Sequence, residues 1–534
     1  MSFQKVFTMK KVLIIGAGPA GLTAAYELLK SGGYDVTVLE ESKDIGGIAK
    51  TVEADGNRMD LGGHRYFSRD NRVNEWWANI FPAQGKPSKD DAILGRDARI
   101  SPGGPDPDSD DRVMLIRQRN SRIYYRNALF EYPVTLSWNT LRNMGLVSTL
   151  RACTSYLLAL VRKLPEDNLE NFYINRFGKS LYSMFFEGYT EKVWGRHPRE
   201  ITADWGTQRV RGLSILSVLK DVVTKLFRIK SKKVETSLIE SFNYPKLGAG
   251  HLWTAVAEDI RKMGGVILTE KRVIQVERDE CGNVHKVGVG NGDSNCDDDA
   301  GNIEEFNCDI LISSMPIKDL ISAMDDVPSD IRLVSDCLEY RDFQTVGVLL
   351  PIEKLLLRNT AKRPTIGGIA PDCWIYVQDM SVKLGRIQVF NNWSPYLVKD
   401  FETMVWLGLE YFCNEGDEYW MMSDDEFAAF AVGELLKIGF IASADDIIST
   451  RRERVRKAYP AYFGAYSDFG VVQRFLDGVP NLFCIGRNGQ HRYNNMDHSM
   501  LTAFAAADSI RSGSFDKTAV WSVNTEDEYH EAGA

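Results

Sequence analysis

The stretch Lys11-Val12-Leu13-Ile14-Ile15-Gly16-Ala17-Gly18-Pro19-Ala20-Gly21 sets an apolar run directly against a glycine-rich turn. A helix-compatible segment follows to Lys30, and Asp35-Val36-Thr37-Val38-Leu39-Glu40 is a second apolar run that ends in an acid. Strand, glycine turn, helix and strand in this order predict a βαβ unit that binds a dinucleotide. Gly16 permits the tight turn, Gly18 lets backbone approach a pyrophosphate, and Gly21 allows close packing of helix on strand. Ala20 lies in the first turn of that helix, where free N–H groups and the positive dipole end face the phosphates. Glu40 stands where an acid accepts hydrogen bonds from an adenosine ribose. The competing reading, a tight turn in another α/β protein, is opposed by the complete βαβ unit with its terminal acid.

A second glycine pair follows at once in Glu41-Ser42-Lys43-Asp44-Ile45-Gly46-Gly47-Ile48-Ala49-Lys50-Thr51. This is similar to the second fingerprint of FAD proteins of the amine oxidase and protoporphyrinogen oxidase superfamily, in which Gly47 would let a loop run along the pyrophosphate. Lys50 stands where those proteins often carry arginine. Cys308-Asp309-Ile310-Leu311-Ile312-Ser313-Ser314-Met315-Pro316 reads as a buried strand closed by a proline turn, and Leu482-Phe483-Cys484-Ile485-Gly486-Arg487 as a strand running into a glycine. A helix is expected from about Ser499 to Ile510. The resemblance implies FAD, with that helix aimed at the flavin and with Val273, in Arg272–Glu277, touching the adenine through its backbone.

The expected fold is α/β: an FAD-binding Rossmann-like domain of the glutathione reductase type, interleaved with a mainly helical segment and a β-rich substrate domain. The cofactor domain is assigned to residues 10–63, 247–316 and 480–512. A mainly helical substrate or cap domain takes 64–246, the β-rich domain 331–470, and a loose tail 513–534. Two loops, Pro82–Asp111 and Gly288–Asn307, read as exposed from their Gly, Pro and acidic content.

A chain of 534 residues with 44% hydrophobic content can bury a large core. Its net charge of −9 argues against nucleic acid as the main partner. The eight cysteines form no CxxC pair, which suits reduced, buried thiols in a cytoplasmic protein. His491 and His498 have no further ligand pattern, so no metal is expected. The polar residues 1–9 predict no secretory signal, and Leu146–Val161, interrupted by Arg151, is too short to span a bilayer and reads as a core helix. The composition is compatible with an oligomer.

Substrate-side motifs narrow the resemblance. Met59-Asp60-Leu61-Gly62-Gly63-His64 places a bare glycine pair and a histidine where a substrate must approach a flavin closely. Gly188-Tyr189-Thr190-Glu191-Lys192-Val193-Trp194-Gly195, Gly206-Thr207-Gln208-Arg209-Val210, Gly385-Arg386-Ile387-Gln388-Val389-Phe390-Asn391-Asn392-Trp393-Ser394-Pro395 and Ala458-Tyr459-Pro460 all resemble segments of UDP-galactopyranose mutases. So does Gly486-Arg487-Asn488-Gly489-Gln490-His491-Arg492-Tyr493-Asn494-Asn495-Met496-Asp497-His498-Ser499. The resemblance implies that Arg209 and Arg386 hold a substrate diphosphate, that Tyr459 and Tyr493 add neutral donors, and that His64 orients groups near the flavin. Gly62, Gly63, Gly486, Arg487, Asn495, Met496, Asp497 and Ser499 would line the cofactor. Two converging arginines give charge-assisted bidentate contacts that one lysine does not.

In that family, reduced flavin attacks the anomeric carbon through N5, interconverting pyranose and furanose forms of a nucleotide-linked sugar without net redox. NAD(P)H is a candidate reductant, although no second dinucleotide fingerprint marks where it docks. Plainer readings stand beside these roles. His64 can be a packed histidine, Arg386 a surface strand arginine, and Arg211 a rival to Arg209. Tyr189, Trp194 and Trp205 can be core aromatics, Glu191 and Lys192 a surface pair, and Arg492 a solvated charge. The alternative activity is an FAD-dependent oxidoreductase of the amine oxidase or protoporphyrinogen oxidase type. A third reading is a non-catalytic flavoprotein partner in a glycan pathway.

Overall fold

A computed structural model describes residues 9–132, 138–203, 241–291, 303–360 and 363–524. At its centre lies a sheet of five parallel strands in the order Leu482–Cys484, Ile310–Ser313, Lys10–Ile15, Tyr34–Leu39 and Val266–Leu268. Ile14 sits between Val38 and Ile312, so the first strand is flanked on both sides by apolar partners. Parallel strands with both faces covered read as near-continuous apolar runs, as these do. The helices Pro19–Ser31, Ala249–Lys262 and Met496–Ser512 cover one face, where Leu22, Ala25, Val256, Ala503 and Ala507 are buried in one cluster with Ile14 and Val38. A three-stranded antiparallel sheet, Lys271–Arg278, Val284–Asn291 and Glu304–Asn307, contributes Val273 and Val287 to the core on the opposite face.

A seven-stranded mixed sheet forms the second body. Its order is Ser449–Pro460, Tyr340–Pro351, Met404–Cys413, Arg386–Val389, Trp374–Val377, Ser121–Tyr125 and Ala128–Glu131. The last two strands come from the segment read as mainly helical, and Met114–Gln118 pairs with Ser241–Pro245 from the same segment. Those strands are short and flanked by charge, so their composition carries little strand signal.

Other expectations are corrected as well. Pro82–Asp111 is more than an exposed loop: it holds the helix Lys89–Leu94, and Asp90 and Asp91 are buried against Arg96 and Arg117. The tail is docked as far as Asn524, with Trp521 buried and the Lys517 ammonium donating to the carbonyls of Asp477 and Val479. Arg492 is no solvated charge, since it donates to the carbonyls of Trp521 and Val523 at 2.8 Å. Of the seven described cysteines, all free, Cys308, Cys373, Cys413 and Cys484 are buried whereas Cys153, Cys281 and Cys337 are exposed. Leu146–Val161 is a helix with the expected bounds, yet most of its large apolar side chains face outward, so it is not a core helix. No helix among the described residues is long and apolar enough to cross a membrane.

Candidate functional site

The dinucleotide turn is shaped by close backbone approaches. Gly16 has φ +97°, and a Cβ there would lie 2.2 Å from Ser314 Oγ. A Cβ on Gly21 would lie 1.9 Å from the Gly16 carbonyl oxygen, which is the tight helix–turn contact that only glycine allows. Gly18 faces Gly47, with a Cβ on Gly18 placed 3.8 Å from the Gly47 Cα, so the two glycine loops run side by side. The helix Pro19–Ser31 opens without a side-chain cap, leaving its first N–H groups for an anion. Gly486 closes the third side: a Cβ there would meet Ala20 Cβ at 2.9 Å, and its N–H donates to Thr502 Oγ1.

Glu40 is buried and held rigidly. One oxygen accepts from the Ala17 N–H at 2.8 Å, and the other accepts from the N–H and hydroxyl of Ser42. A carboxylate offers about four lone-pair positions, so one remains on the Ala17 side for a ribose hydroxyl. Val273 lies two residues beyond Lys271, whose N–H donates to the Glu40 carbonyl. Lys50, the departure from arginine, spends its charge on Asp44 at 2.8 Å. The helix Met496–Ser512 begins at Asn495, whose side chain and that of His498 form a reciprocal cap. Asp497 accepts from the Ser68 hydroxyl, Ser499 Oγ donates to the Asn495 carbonyl, and Met496 Sδ accepts from the Trp253 indole. The capped helix adjoins Gly486 through Thr502, and these residues fit a dinucleotide.

Gly62 and Gly63 form a bare strip beside the second sheet. A Cβ on Gly63 would lie 3.2 Å from Gln388 Nε2 and 3.4 Å from the Trp393 ring, and one on Gly62 would lie 4.0 Å from Glu410 Oε1. His64 next to it makes a 3.1 Å hydrogen bond from Nε2 to the Leu61 carbonyl. Burial lowers the His64 pKa to about 4, helped by the charges of Arg487 and Arg386, so the ring is neutral at pH 7.

Arg386 and Glu410 face each other across neighbouring antiparallel strands. The Arg386 Nε donates to Glu410, which is fully buried, and Glu410 also accepts from Gln388 Nε2 at 2.6 Å. An Arg386 terminal nitrogen donates to the Tyr459 hydroxyl at 3.3 Å, and Glu410 holds the Arg386 pKa far above its ordinary value despite burial. The Tyr459 ring stacks on Tyr493 at 5.6 Å and 11°, and the Arg487 guanidinium lies 4.8 Å from the Tyr493 centroid. Arg487 is itself anchored to the carbonyls of Ala458 and Asn494. The structure thus gathers His64, Arg386, Tyr459, Tyr493 and Arg487 at one place. Arg209, with Arg211 and Trp205, lies outside the described residues.

Tyr189 reaches the same cluster from the helix Glu187–Trp194, edge-on to Tyr376, and Arg386 and Tyr459 bear on its hydroxyl. Trp194 is a buried core aromatic. Lys192 is not a surface charge: its ammonium donates to the carbonyls of Val377, Asp379 and Leu384, and burial lowers its pKa to about 8. That motif lysine pins the helix carrying Tyr189 to the turn between the strands Trp374–Val377 and Arg386–Val389. Glu410 and Gln388 were not singled out from sequence. The available signal was a lone acid inside the apolar strand Met404–Cys413, which burial makes costly unless it is paired. Among the described residues, no cluster of three side chains suits a metal ion.

Comparison with known proteins bears on the fold. A family model described as an NAD(P)-binding Rossmann-like domain matches residues 14–80. An L-amino-acid oxidase from Pseudechis australis is 40% identical over 75 residues, 14% of each chain, so the match spans about a seventh of that relative. A crystal structure of reduced UDP-galactopyranose mutase superposes with a TM-score of 0.73 at 19% identity, covering 97% of this chain and 100% of the other. Cyclohexylamine oxidase from Brevibacterium oxydans IH-35A superposes with a TM-score of 0.57 at 14% identity, covering 94% and 99%. With the mutase and the amine oxidase this chain shares one fold, and its residues 14–80 match a Rossmann-like dinucleotide-binding domain.

Proposed function

We propose that the protein is a flavoenzyme that interconverts pyranose and furanose forms of a nucleotide-diphosphate sugar with FAD in its reduced state. The observation that carries this reading is Arg386, held by Glu410 and Tyr459 beside the Gly62–Gly63 strip. A guanidinium has five N–H donors. Glu410 and Tyr459 engage one each in the structure, leaving three for a diphosphate. When bound, reduced FAD supplies a nucleophile at N5 for the anomeric carbon. Arg386 holds the leaving diphosphate close for its return, and the Tyr459 and Tyr493 hydroxyls add donors without further charge. Glu410 fixes the guanidinium direction. His64, neutral at pH 7, orients groups by hydrogen bonding rather than by proton transfer. Arg209 is proposed as the second diphosphate arginine.

One observation favours a second reading, substrate oxidation of the amine oxidase type. Glu410 already balances the charge of Arg386, and the adjoining wall is the stacked pair Tyr459–Tyr493. The deciding experiment is anaerobic incubation of dithionite-reduced protein with UDP-galactofuranose and related nucleotide sugars. Appearance of the pyranose isomer with reduced but not oxidised protein supports the mutase. No isomerisation, with substrate-dependent bleaching of oxidised flavin by another compound, supports the oxidase.

A further inference from the structure

The helix Leu146–Val161 is docked by one face only. Ala152, Tyr156 and Ala159 are buried against the helix Leu169–Phe185. That second helix breaks at Gly178, where φ is +76° and a Cβ would lie 2.7 Å from the Tyr156 backbone nitrogen. The Ser180 N–H then donates to Ser155 Oγ at 3.0 Å, which fixes the first helix in rotation. Its other face is left to solvent: Leu146, Val147, Leu150, Leu157, Leu158 and Val161 are each between 58% and 89% exposed. Scattered exposed apolar side chains need no explanation, but six on one helix form a continuous apolar surface of the kind that marks an interaction site.

The charges around this surface choose its partner. Between Glu131 and Glu166 the sequence contains no acid, while Arg142, Arg151, Arg162 and Lys163 give the segment four positive charges in a chain of net −9. Arg142, Arg151, Arg162 and Lys163 are all exposed. Pairing two copies of this face about a two-fold axis would oppose like charges with no acid in the segment to answer them. An anionic bilayer answers them all. A helix of 16 residues is about 24 Å long, too short to span a hydrocarbon core of about 30 Å, but suited to lie in the interface with its leucines among the acyl chains. We propose that the outer face of Leu146–Val161 docks the protein on an anionic phospholipid surface. This proposal stands independently of the mutase reading.

The test is flotation of the purified full chain with phosphatidylcholine vesicles and with mixed phosphatidylcholine–phosphatidylglycerol vesicles. Three proteins are compared: the wild type, Leu150→Glu/Leu157→Glu and Arg151→Ala/Arg162→Ala. All four positions are exposed, and equal flavin absorbance and circular dichroism verify that the variants are folded. The wild type is expected to float with the anionic vesicles and to be released by rising salt. The arginine variant should partition about fivefold less for each charge removed. The leucine variant should stay in the soluble fraction. Equal flotation of wild type and leucine variant, or absence of wild-type flotation, overturns the proposal. So does a vesicle-independent dimer that the leucine variant abolishes, which would make a second copy the occupant.

Discussion

Around the dinucleotide turn, shape is set by backbone: Gly16 and Gly21 allow chain segments to approach closer than any side chain would permit, and Gly47 takes a positive φ against Gly18. Across the Gly62–Gly63 strip the reverse holds, because Arg386, Glu410, Gln388 and Tyr459 reach in from three strands and fix one another by charge and hydrogen bonds. The first region is local in sequence, and adding atoms should destroy it. The second is assembled from distant positions, and removing atoms should destroy it.

Four experiments sharpen or break this contrast. The largest effect is expected from Glu410→Ala, which leaves Arg386 buried without its counter-charge and should cost about 4 kcal/mol in urea unfolding. Flavin absorbance of the folded fraction should persist, and its loss would mean that the two regions are not separable. Gly21→Val comes next: overpacking against the Gly16 carbonyl should cost about 2–3 kcal/mol and strip the flavin, read by absorbance after gel filtration. Retained flavin would show that the turn can relax.

The third experiment is a stability profile against pH. Burial lowers His64, His251 and His491 to about 4, so below pH 6.5 the unfolded chain takes up protons that the folded chain refuses. Stability is therefore expected to fall from pH 6.5 toward pH 4, and His491→Gln should flatten that slope by up to about 1.4 kcal/mol per pH unit. Asp60, raised to about 6 by burial, acts with the opposite sign. Its folded form takes up a proton first as pH falls from 6 to 3.8, so Asp60→Asn should steepen the loss. A flat profile would contradict the burial of these groups. The smallest effect is expected from Lys50→Ala, a partly exposed pair with Asp44, at about 0.5 kcal/mol with no change in flavin content. A large loss of flavin would promote Lys50 from loop tether to cofactor contact.

Legibility in the sequence followed the same division. The cradle could be read because Gly16 to Glu40 sit within one βαβ unit whose hydrogen bonds close locally, as between Glu40 and Ala17. Arg386 was readable from its motif, but its partner was not. Glu410 is opposite only because one particular register pairs the two strands. Composition also located Leu146–Val161 as a helix without revealing which side was covered, since apolarity does not specify a neighbour. The strands Ser121–Tyr125 and Ala128–Glu131 were missed for a related reason: their stability comes from joining a sheet whose other members lie some 250 residues later.

The parallel sheet has a consequence for how the chain reaches its native state. Strand Lys10–Ile15 has one neighbour close in sequence, Tyr34–Leu39, but its other neighbour is Ile310–Ser313, and the sheet is complete only with Leu482–Cys484. At a ribosomal rate of about 5–20 residues per second, roughly 25–100 s separate the emergence of the first strand from that of the last. Throughout that interval an apolar strand edge is open, and closure must bear the entropy of long loops before its contacts reward it. Folding is therefore expected to finish only after Leu482–Cys484 has emerged, when Gly486 meets Ala20 and the cofactor gains its third wall.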